Sequence, residues 1–248
     1  MDASHLATDP TSKWTSPNFD DRSLPISMLV LHYTGMQSAT HALERLCDPL
    51  AKVSAHYVID EQGEVFALVP EDRRAWHAGL SCWQDVTDIN SASIGIEIVN
   101  GGHDFGLPGF PEAQMLALIE LCSAILARHK IAPQNIVGHN EIAPGRKIDP
   151  GERFAWAQLA GAGIGLWPGE PNGQRQSCPE PSASKVAGSL LTEIGYETAL
   201  ADFSTSAPNA PLSEFQRRYR PSLIDGLLDH ETLDLIKRLH RQVFAPKP

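Results

Sequence analysis

The stretch from 138 to 151, GHNEIAPGRKIDPG, brings His139, Glu141, Arg146, Lys147 and Asp149 into one turn-rich segment. Imidazole, carboxylate and ammonium groups so concentrated can bind a metal or move protons. Pro144, Gly145, Pro150 and Gly151 disfavour a helix through 143–151 and restrict the shape of the loop. Ahead of it, Asn135-Ile136-Val137 reads as a short strand. His139 then stands where a rigid sheet hands over to a loop, a common position for catalytic groups. A second histidine, His32, ends another apolar run, Ser27 to Leu31. Two strand-end histidines and Asp149 offer two nitrogens and one oxygen, the donor set of a catalytic zinc ion whose fourth position is left for water. A structural zinc site would be closed by four protein ligands, usually including thiolates. Cys47, Cys82, Cys122 and Cys178 lie far apart with no CxxC pair, as in a protein with reduced thiols. Zinc held by such an open set acidifies its water and polarises a carbonyl, which points to hydrolysis.

The elements that must position these groups can be read from periodicity. Residues 27–31 and Ser93 to Val99 are short apolar runs of strand length, and Glu97 interrupts the second. Ser54 to Asp60 and Glu64 to Val69 read as two strands joined by a tight turn containing Gly63. Ser38 to Leu46 is a short helix with Ala42, Leu43 and Leu46 on one side. Pro111 to Lys130 is the clearest helix, with Met115, Leu118, Ile119, Cys122, Ile125 and Leu126 at three-four spacing. Arg153 to Leu159 is a further short helix. Strands interleaved with helices imply an α/β domain, over 26–165, built on a mixed central sheet flanked by helices. Residues 1–25, polar and proline-bearing, form an extended arm over the surface or, for the first dozen, a disordered tail. A Gly- and Pro-rich linker over 166–183 precedes three stretches of helical spacing, which make a small all-α domain over 184–245.

Composition sets the outer bounds. A chain of 248 residues with 42% hydrophobic residues can bury a sizeable core. A net charge of −10 argues against nucleic acid as a partner, which calls for a basic surface. No apolar run reaches the roughly 18 residues that span a bilayer. The N-terminus lacks the basic start and apolar stretch of a secretory signal. These features lead to the expectation of a cytoplasmic protein, or a periplasmic one if the natural chain begins further upstream.

Four stretches carry a family resemblance: VLHYTG at 30–35, VSAHYVIDEQGEVFALVPEDRRAWHAG at 53–79, SIGIEIVN at 93–100 and GHNEIAPGRKIDPG at 138–151. In this order they resemble the zinc-dependent N-acetylmuramoyl-L-alanine amidases and the related peptidoglycan recognition proteins. The resemblance implies that His32, His139 and Asp149 bind Zn2+, that Glu97 is the general base and that Lys147 stabilises the oxyanion. It implies cleavage of the amide between the lactyl group of N-acetylmuramic or 1,6-anhydro-N-acetylmuramic acid and L-alanine, in recycled muropeptides or in intact peptidoglycan. The roles make physical sense. A carboxylate beside the metal can take a proton from water and return it to the leaving amine, and burial among Ile94, Ile96 and Ile98 would raise its pKa. A nearby ammonium can meet the charge that develops on the carbonyl oxygen. Members of the fold that only bind commonly lack a zinc ligand; all three positions are filled here.

Substrate contacts are expected from the loop 73–79. Arg73 and Arg74 suit carboxylates, unless they are simply solvated, and Trp76 and His77 could line a groove or make structural contacts. Tyr57 matches a family position near the metal, though its ring could serve packing. His56 is open in the same way as His77, whereas His5, His41, His103, His129, His230 and His240 read as surface residues. In the tail, LLTEIGY at 190–196, LSEFQRRYR at 212–220 and GLLDHET at 226–232 are similar to the three-helix peptidoglycan-binding domain. That module would bind wall fragments or would only pack on the catalytic domain.

Overall fold

The computed structural model describes residues 13–173, 181–198 and 208–245. In chain order the first part contains β1 (Phe19–Asp21), β2 (Met28–Tyr33), α1 (Ala39–Cys47), β3 (Tyr57–Ile59), β4 (Val65–Ala67), β5 (Arg73–Ala75), α2 (Ile89–Ala92) and β6 (Ser93–Ile98). It continues with α3 (Glu112–Arg128), β7 (Ile136–Gly138), α4 (His139–Ile142) and α5 (Trp156–Gly161). Five strands make the main sheet in the order β4-β3-β6-β2-β7. Only β4 runs antiparallel to its neighbour, so the sheet is mixed, as the interleaved pattern suggested.

Successive side chains on a strand point to opposite faces, and this sheet uses its two faces differently. Leu29 and Leu31 of β2, Ile94, Ile96 and Ile98 of β6 and Ile136 of β7 share a buried core with Met115, Leu118, Leu121, Cys122 and Ile125 of α3. The helical spacing read from the sequence is thus the stripe that covers this face, with Ile119 and Leu126 half-buried at its margin. Met28, Val30 and Val137 face the other way. By the same alternation His32, Ser93, Gly95 and Glu97 belong to that second face, and His32 sits directly opposite Glu97 in the β2–β6 register. The isoleucines flanking Glu97 therefore do not surround its carboxylate; they lie across the sheet from it.

Smaller elements follow local chemistry. Ser38 caps α1 by accepting from the His41 amide, and Ala42, Leu43 and Leu46 are its buried side. The β3–β4 turn is held by Asp60 Oδ1, which accepts from the amides of Gln62 (2.9 Å) and Glu64 (2.7 Å). Residues 13–25 cross the surface as an arm, but part of it is ordered by pairing: β1 runs antiparallel to β5. That pairing lies where the sequence showed only a loop, because three-residue strands carry no periodicity and the partner is far along the chain.

Helices α6 (Pro181–Ile194), α7 (Ala210–Tyr219) and α8 (His230–Phe244) occupy the three stretches of helical spacing in the tail. Asn209 and Asp229 cap α7 and α8 through their side chains. Leu191, Ile194 and Tyr196, then Leu212, Phe215 and Tyr219, share one core with Met28, Val30, Val137 and Ile142 of the sheet side. Residues 166–173 run beside α8, whose Arg238 donates to the carbonyls of Pro168 (2.6 Å) and Glu170 (3.1 Å); 174–180 lie outside the described residues. The FQRRYR residues turn inward: Arg220 pairs with Asp229, and Arg218 donates to Glu141 Oε2 at 2.6 Å and to the Ile136 carbonyl at 3.0 Å. The Arg218 guanidinium also stacks 3.7 Å from the Trp156 ring centroid. No helix among the described residues is long and apolar enough to cross a membrane.

Arg218 and Glu141 are both buried, so removing one partner strands a charge away from water. Replacing Arg218 by Leu is expected to lower stability by about 3–5 kcal/mol, measured by denaturant unfolding. A loss below about 1 kcal/mol, the range of an exposed pair, would show that this contact does not hold the two parts together.

Candidate active site

The expected site residues gather at the C-terminal ends of the parallel strands, where open α/β sheets usually bind ligands. His32 is near the end of β2, Glu97 near the end of β6, and His139 begins α4 directly after β7. The strand-to-helix turn at Gly138 is closed by Glu141, whose Oε2 accepts from the Gly138 amide at 2.8 Å. The two ends of the loop are tied by the Asn140 amide, which donates to the Asp149 carbonyl at 2.9 Å. This tie brings Asp149 back beside His139.

The three expected ligands converge. His32 Nδ1 and His139 Nδ1 are 2.9 Å apart, and each is 3.0 Å from Asp149 Oδ2. All three residues are buried. Their hydrogen-bond partners decide which ring nitrogens carry protons. His139 Nε2–H donates to the Ala78 carbonyl at 3.0 Å, leaving the neutral ring's Nδ1 as a lone pair. His32 places its Nε2 3.0 Å from His77 Nδ1, and Ser93 Oγ lies 3.1 Å from His77 Nε2. Because Ser93 Oγ–H donates to the Ile89 carbonyl at 2.6 Å, it accepts from His77 Nε2–H. His77 Nδ1 is then an acceptor for His32 Nε2–H, and His32 Nδ1 is also a lone pair. Three electron-rich atoms thus meet without a hydrogen between them. A tetrahedral ion with bonds of about 2.0–2.1 Å would need its ligand atoms roughly 3.3 Å apart, close to the spacing found. The residues fit a metal ion.

Electrostatics favour the same state. Burial, reinforced by neighbouring His139, pushes the His32 imidazole down to about 4, so it is neutral at ordinary pH. Burial alone would raise Asp149, but a proton on His139 or His32 directed at its carboxyl holds it well below the usual range, so Asp149 is an anion whether a proton or a metal ion lies beside it. Glu97 shifts the other way: burial, then the charge of Asp149, raise it well above an ordinary glutamate, against the pull of Lys147. Its Oε2 is buried without a hydrogen-bond partner among the described residues.

Around this centre the surface opens into a cleft with two lobes. One, of about 430 Å³, is bordered by Tyr33, Arg45, Trp76, Glu97, His103 and Lys147. The second, of about 440 Å³, is bordered by Lys52, Arg74, Trp76, His77, Arg146 and Lys147. Glu97, Lys147, Trp76 and His77 thus border the cleft, as does Arg74, which is engaged by Asp20 and Asp88. Two expected contacts lie elsewhere. Tyr57 faces α3 in the opposite core, its hydroxyl donating to Glu71 at 2.7 Å. Arg73 is held on the β1–β5 ribbon by Asp21 and does not border either lobe. A one-residue step along a strand reverses the face, so Tyr57 points away where its neighbour His56 does not. His103, read as a surface residue, instead borders the cleft, with its Nδ1 3.0 Å from the Tyr33 hydroxyl and its Nε2 3.0 Å from Glu152. Ser93 was not singled out at all. The signal for it was available: Ser93, Gly95 and Glu97 alternate with Ile94, Ile96 and Ile98.

Residues 22–152 match the family described as N-acetylmuramoyl-L-alanine amidase. The chain belongs to that family. It is 37% identical over 232 residues to the N-acetylmuramoyl-L-alanine amidase AmiD of Escherichia coli, covering 86% of this chain and 82% of that protein. The solved complex of the E. coli enzyme with anhydro-N-acetylmuramic acid-L-Ala-D-gamma-Glu-L-Lys is similar over 93% of this chain and 92% of its own, with a TM-score of 0.76 and 33% identity. AmpDh3 of Pseudomonas aeruginosa, solved with anhydromuramic pentapeptide, is similar over 96% of this chain and 98% of its own, at a TM-score of 0.74 and 33% identity. Both likenesses extend through the C-terminal helices, and the mixed α/β fold is the amidase fold.

The buried histidines of this amidase set the pH response of its metal-free form. Burial pushes the His32 and His56 imidazoles down from the ordinary 6.5 to about 4 and about 3 in the folded chain. In that window the unfolded chain binds more protons, so stability falls as pH drops, by up to about 1.4 kcal/mol per pH unit for each group. Glu97, raised in the folded state, opposes this above its unfolded value of 4.5, where the native protein holds the extra proton. Denaturant melts of metal-free protein are expected to show lower stability at about pH 5 than at about pH 7, and a larger difference in Glu97→Gln. A profile that is flat or reversed in Glu97→Gln, where that opposition is gone, would refute the assignment of neutral, buried imidazoles.

Proposed function

We propose that this amidase is a zinc enzyme that cleaves the amide between the lactyl group of 1,6-anhydro-N-acetylmuramic acid and L-alanine in muropeptides released from the cell wall. The observation that carries this reading is the convergence of His32 Nδ1, His139 Nδ1 and Asp149 Oδ2, lone pairs about 3 Å apart that call for a cation. Two nitrogens and one carboxylate form an open set for a catalytic ion, and zinc suits that mixture of donors. When bound there, zinc supplies Lewis acidity that makes water a better nucleophile and polarises the scissile carbonyl.

The chain's own groups divide the remaining work. Glu97 is adjacent to His32 in the sheet register, on the same face as the ligands, and borders the cleft. Its free Oε2 takes a proton from the attacking water and delivers it to the alanine nitrogen as the C–N bond breaks. The raised pKa of its buried carboxyl favours this second role, because the group keeps the proton until the amine leaves. Lys147, two positions before Asp149, presents an ammonium to the carbonyl oxygen as negative charge grows on it. The two lobes meet along Trp76, His77, His139 and Lys147, which supports a substrate with a sugar at one end and a peptide at the other. The anhydro form of the substrate is supported by the ligands named in the two similar complexes.

Incubation with anhydro-muropeptide should release free stem peptide with an L-alanine amino terminus, identifiable by mass spectrometry. Turnover should vanish on zinc removal by a chelator and return with zinc. Product release that is unaffected by metal depletion, or faster cleavage of intact sacculi than of anhydro-fragments, would overturn the metal or the substrate assignment respectively. Glu97→Ala is expected to lower turnover by about 10²–10⁴-fold while the zinc content of the purified protein stays unchanged. Full activity in that variant would remove Glu97 from the mechanism.

A further inference from the structure

We infer that His77 is a positioning residue that orients the zinc ligand His32, through a hydrogen-bond chain running Ser93 to His77 to His32. This deepens the zinc reading above and rests on it. The chain has a defined direction. Ser93 Oγ–H is committed to the Ile89 carbonyl at 2.6 Å, so its oxygen accepts His77 Nε2–H at 3.1 Å. His77 Nδ1 then accepts His32 Nε2–H at 3.0 Å, and His32 Nδ1 is left as a lone pair facing Asp149 and His139. Metal-bound histidines usually donate their second N–H to a carboxylate, a backbone carbonyl or water. Here a neutral imidazole takes that place, so its own tautomer has to be set as well. Ser93 sets it.

The surrounding structure is shaped to hold the ring. An added Cβ on Gly95 would come within 2.4 Å of His77 Cγ, so the central strand leaves space for the imidazole only because position 95 is glycine. The backbone at 77–78 is fixed by Asn90 Oδ1, which accepts from the amides of His77 (3.1 Å) and Ala78 (2.8 Å). The Ala78 carbonyl in turn accepts the Nε2–H of the other histidine ligand, His139, at 3.0 Å. One short segment therefore orients both imidazole ligands, one through a side chain and one through the backbone. His32 and His77 meet edge to face, with ring centroids 5.1 Å apart, a geometry in which the hydrogen bond and the packing agree.

The test is zinc affinity of the purified full chain, measured by competition with a chromogenic chelator, with thermal melting of the metal-free protein as the folding control. His77→Leu, which offers no acceptor, is expected to weaken zinc binding by about 10–100-fold. His77→Asn, whose Oδ1 can stand at the position of Nδ1, is expected to stay nearer to wild type than to His77→Leu. Wild-type zinc affinity in His77→Leu would overturn the inference, and so would equal losses in the Asn and Leu variants, which would mark packing alone. An unchanged affinity with a raised KM in His77→Leu would also overturn it, by assigning His77 to substrate contact. Should His77→Leu fail to fold, Ser93→Ala decides: it removes one buried oxygen, and weaker zinc binding at an unchanged melting temperature supports the chain, whereas unchanged binding rejects it. A wild-type protein that holds no zinc would refute the underlying metal reading, whereas zinc-replete wild type with an indifferent His77→Leu would refute only the role of His77.

Discussion

Three lone-pair atoms held about 3 Å apart in a buried place repel one another unless a cation lies among them. His32 Nδ1, His139 Nδ1 and Asp149 Oδ2 are in that position, and much of the fold is organised to keep them there. His32 is fixed by the register of the two longest strands at the centre of the sheet. His139 and Asp149 are drawn together by the backbone bond between Asn140 and Asp149 at the ends of the loop. The outward nitrogens of both rings are directed at His77 and at the Ala78 carbonyl, which turns both Nδ1 atoms toward Asp149.

The sheet makes this possible by keeping its faces chemically separate. One face is closed by α3 with aliphatic side chains from β2, β6 and β7, which makes the platform rigid. The other face trades bulk for function along β6: a serine, a glycine and a glutamate where the opposite face has three isoleucines. The glycine leaves room for a ring, the serine fixes its tautomer and the glutamate faces the cleft. Because pleating alternates the two sets, apolar stability and polar chemistry are written into the same six residues without competing.

The C-terminal helices join this arrangement rather than standing apart. Glu141, two residues past His139, reaches Arg218 on α7 and the Tyr196 hydroxyl, while Asn140 donates to Glu214 on α7 at 2.9 Å. Arg217 reaches Glu152, which also meets His103 at the cleft wall. The basic and aromatic residues of the FQRRYR motif are spent on these contacts and on the shared core, which accounts for the absence of an exposed aromatic platform in that segment.

The elements and the candidate metal-binding set were legible in the chain because they rest on local rules. Apolar spacing marked α3 and the tail helices, short apolar runs marked β2 and β6, and His32, His139 and Asp149 stood out by type and by their places at the ends of runs. The placement of Tyr57, Arg73 and His103 was not legible. Each depends on which face a strand presents or on a partner far along the chain, and periodicity leaves both undetermined for elements of three residues. Sequence by itself therefore determined the donor atoms and the scaffold that carries them. Tertiary structure decided which nitrogens are free to bind, because a tautomer is set by the partner of the other nitrogen, and that partner arrives from another strand.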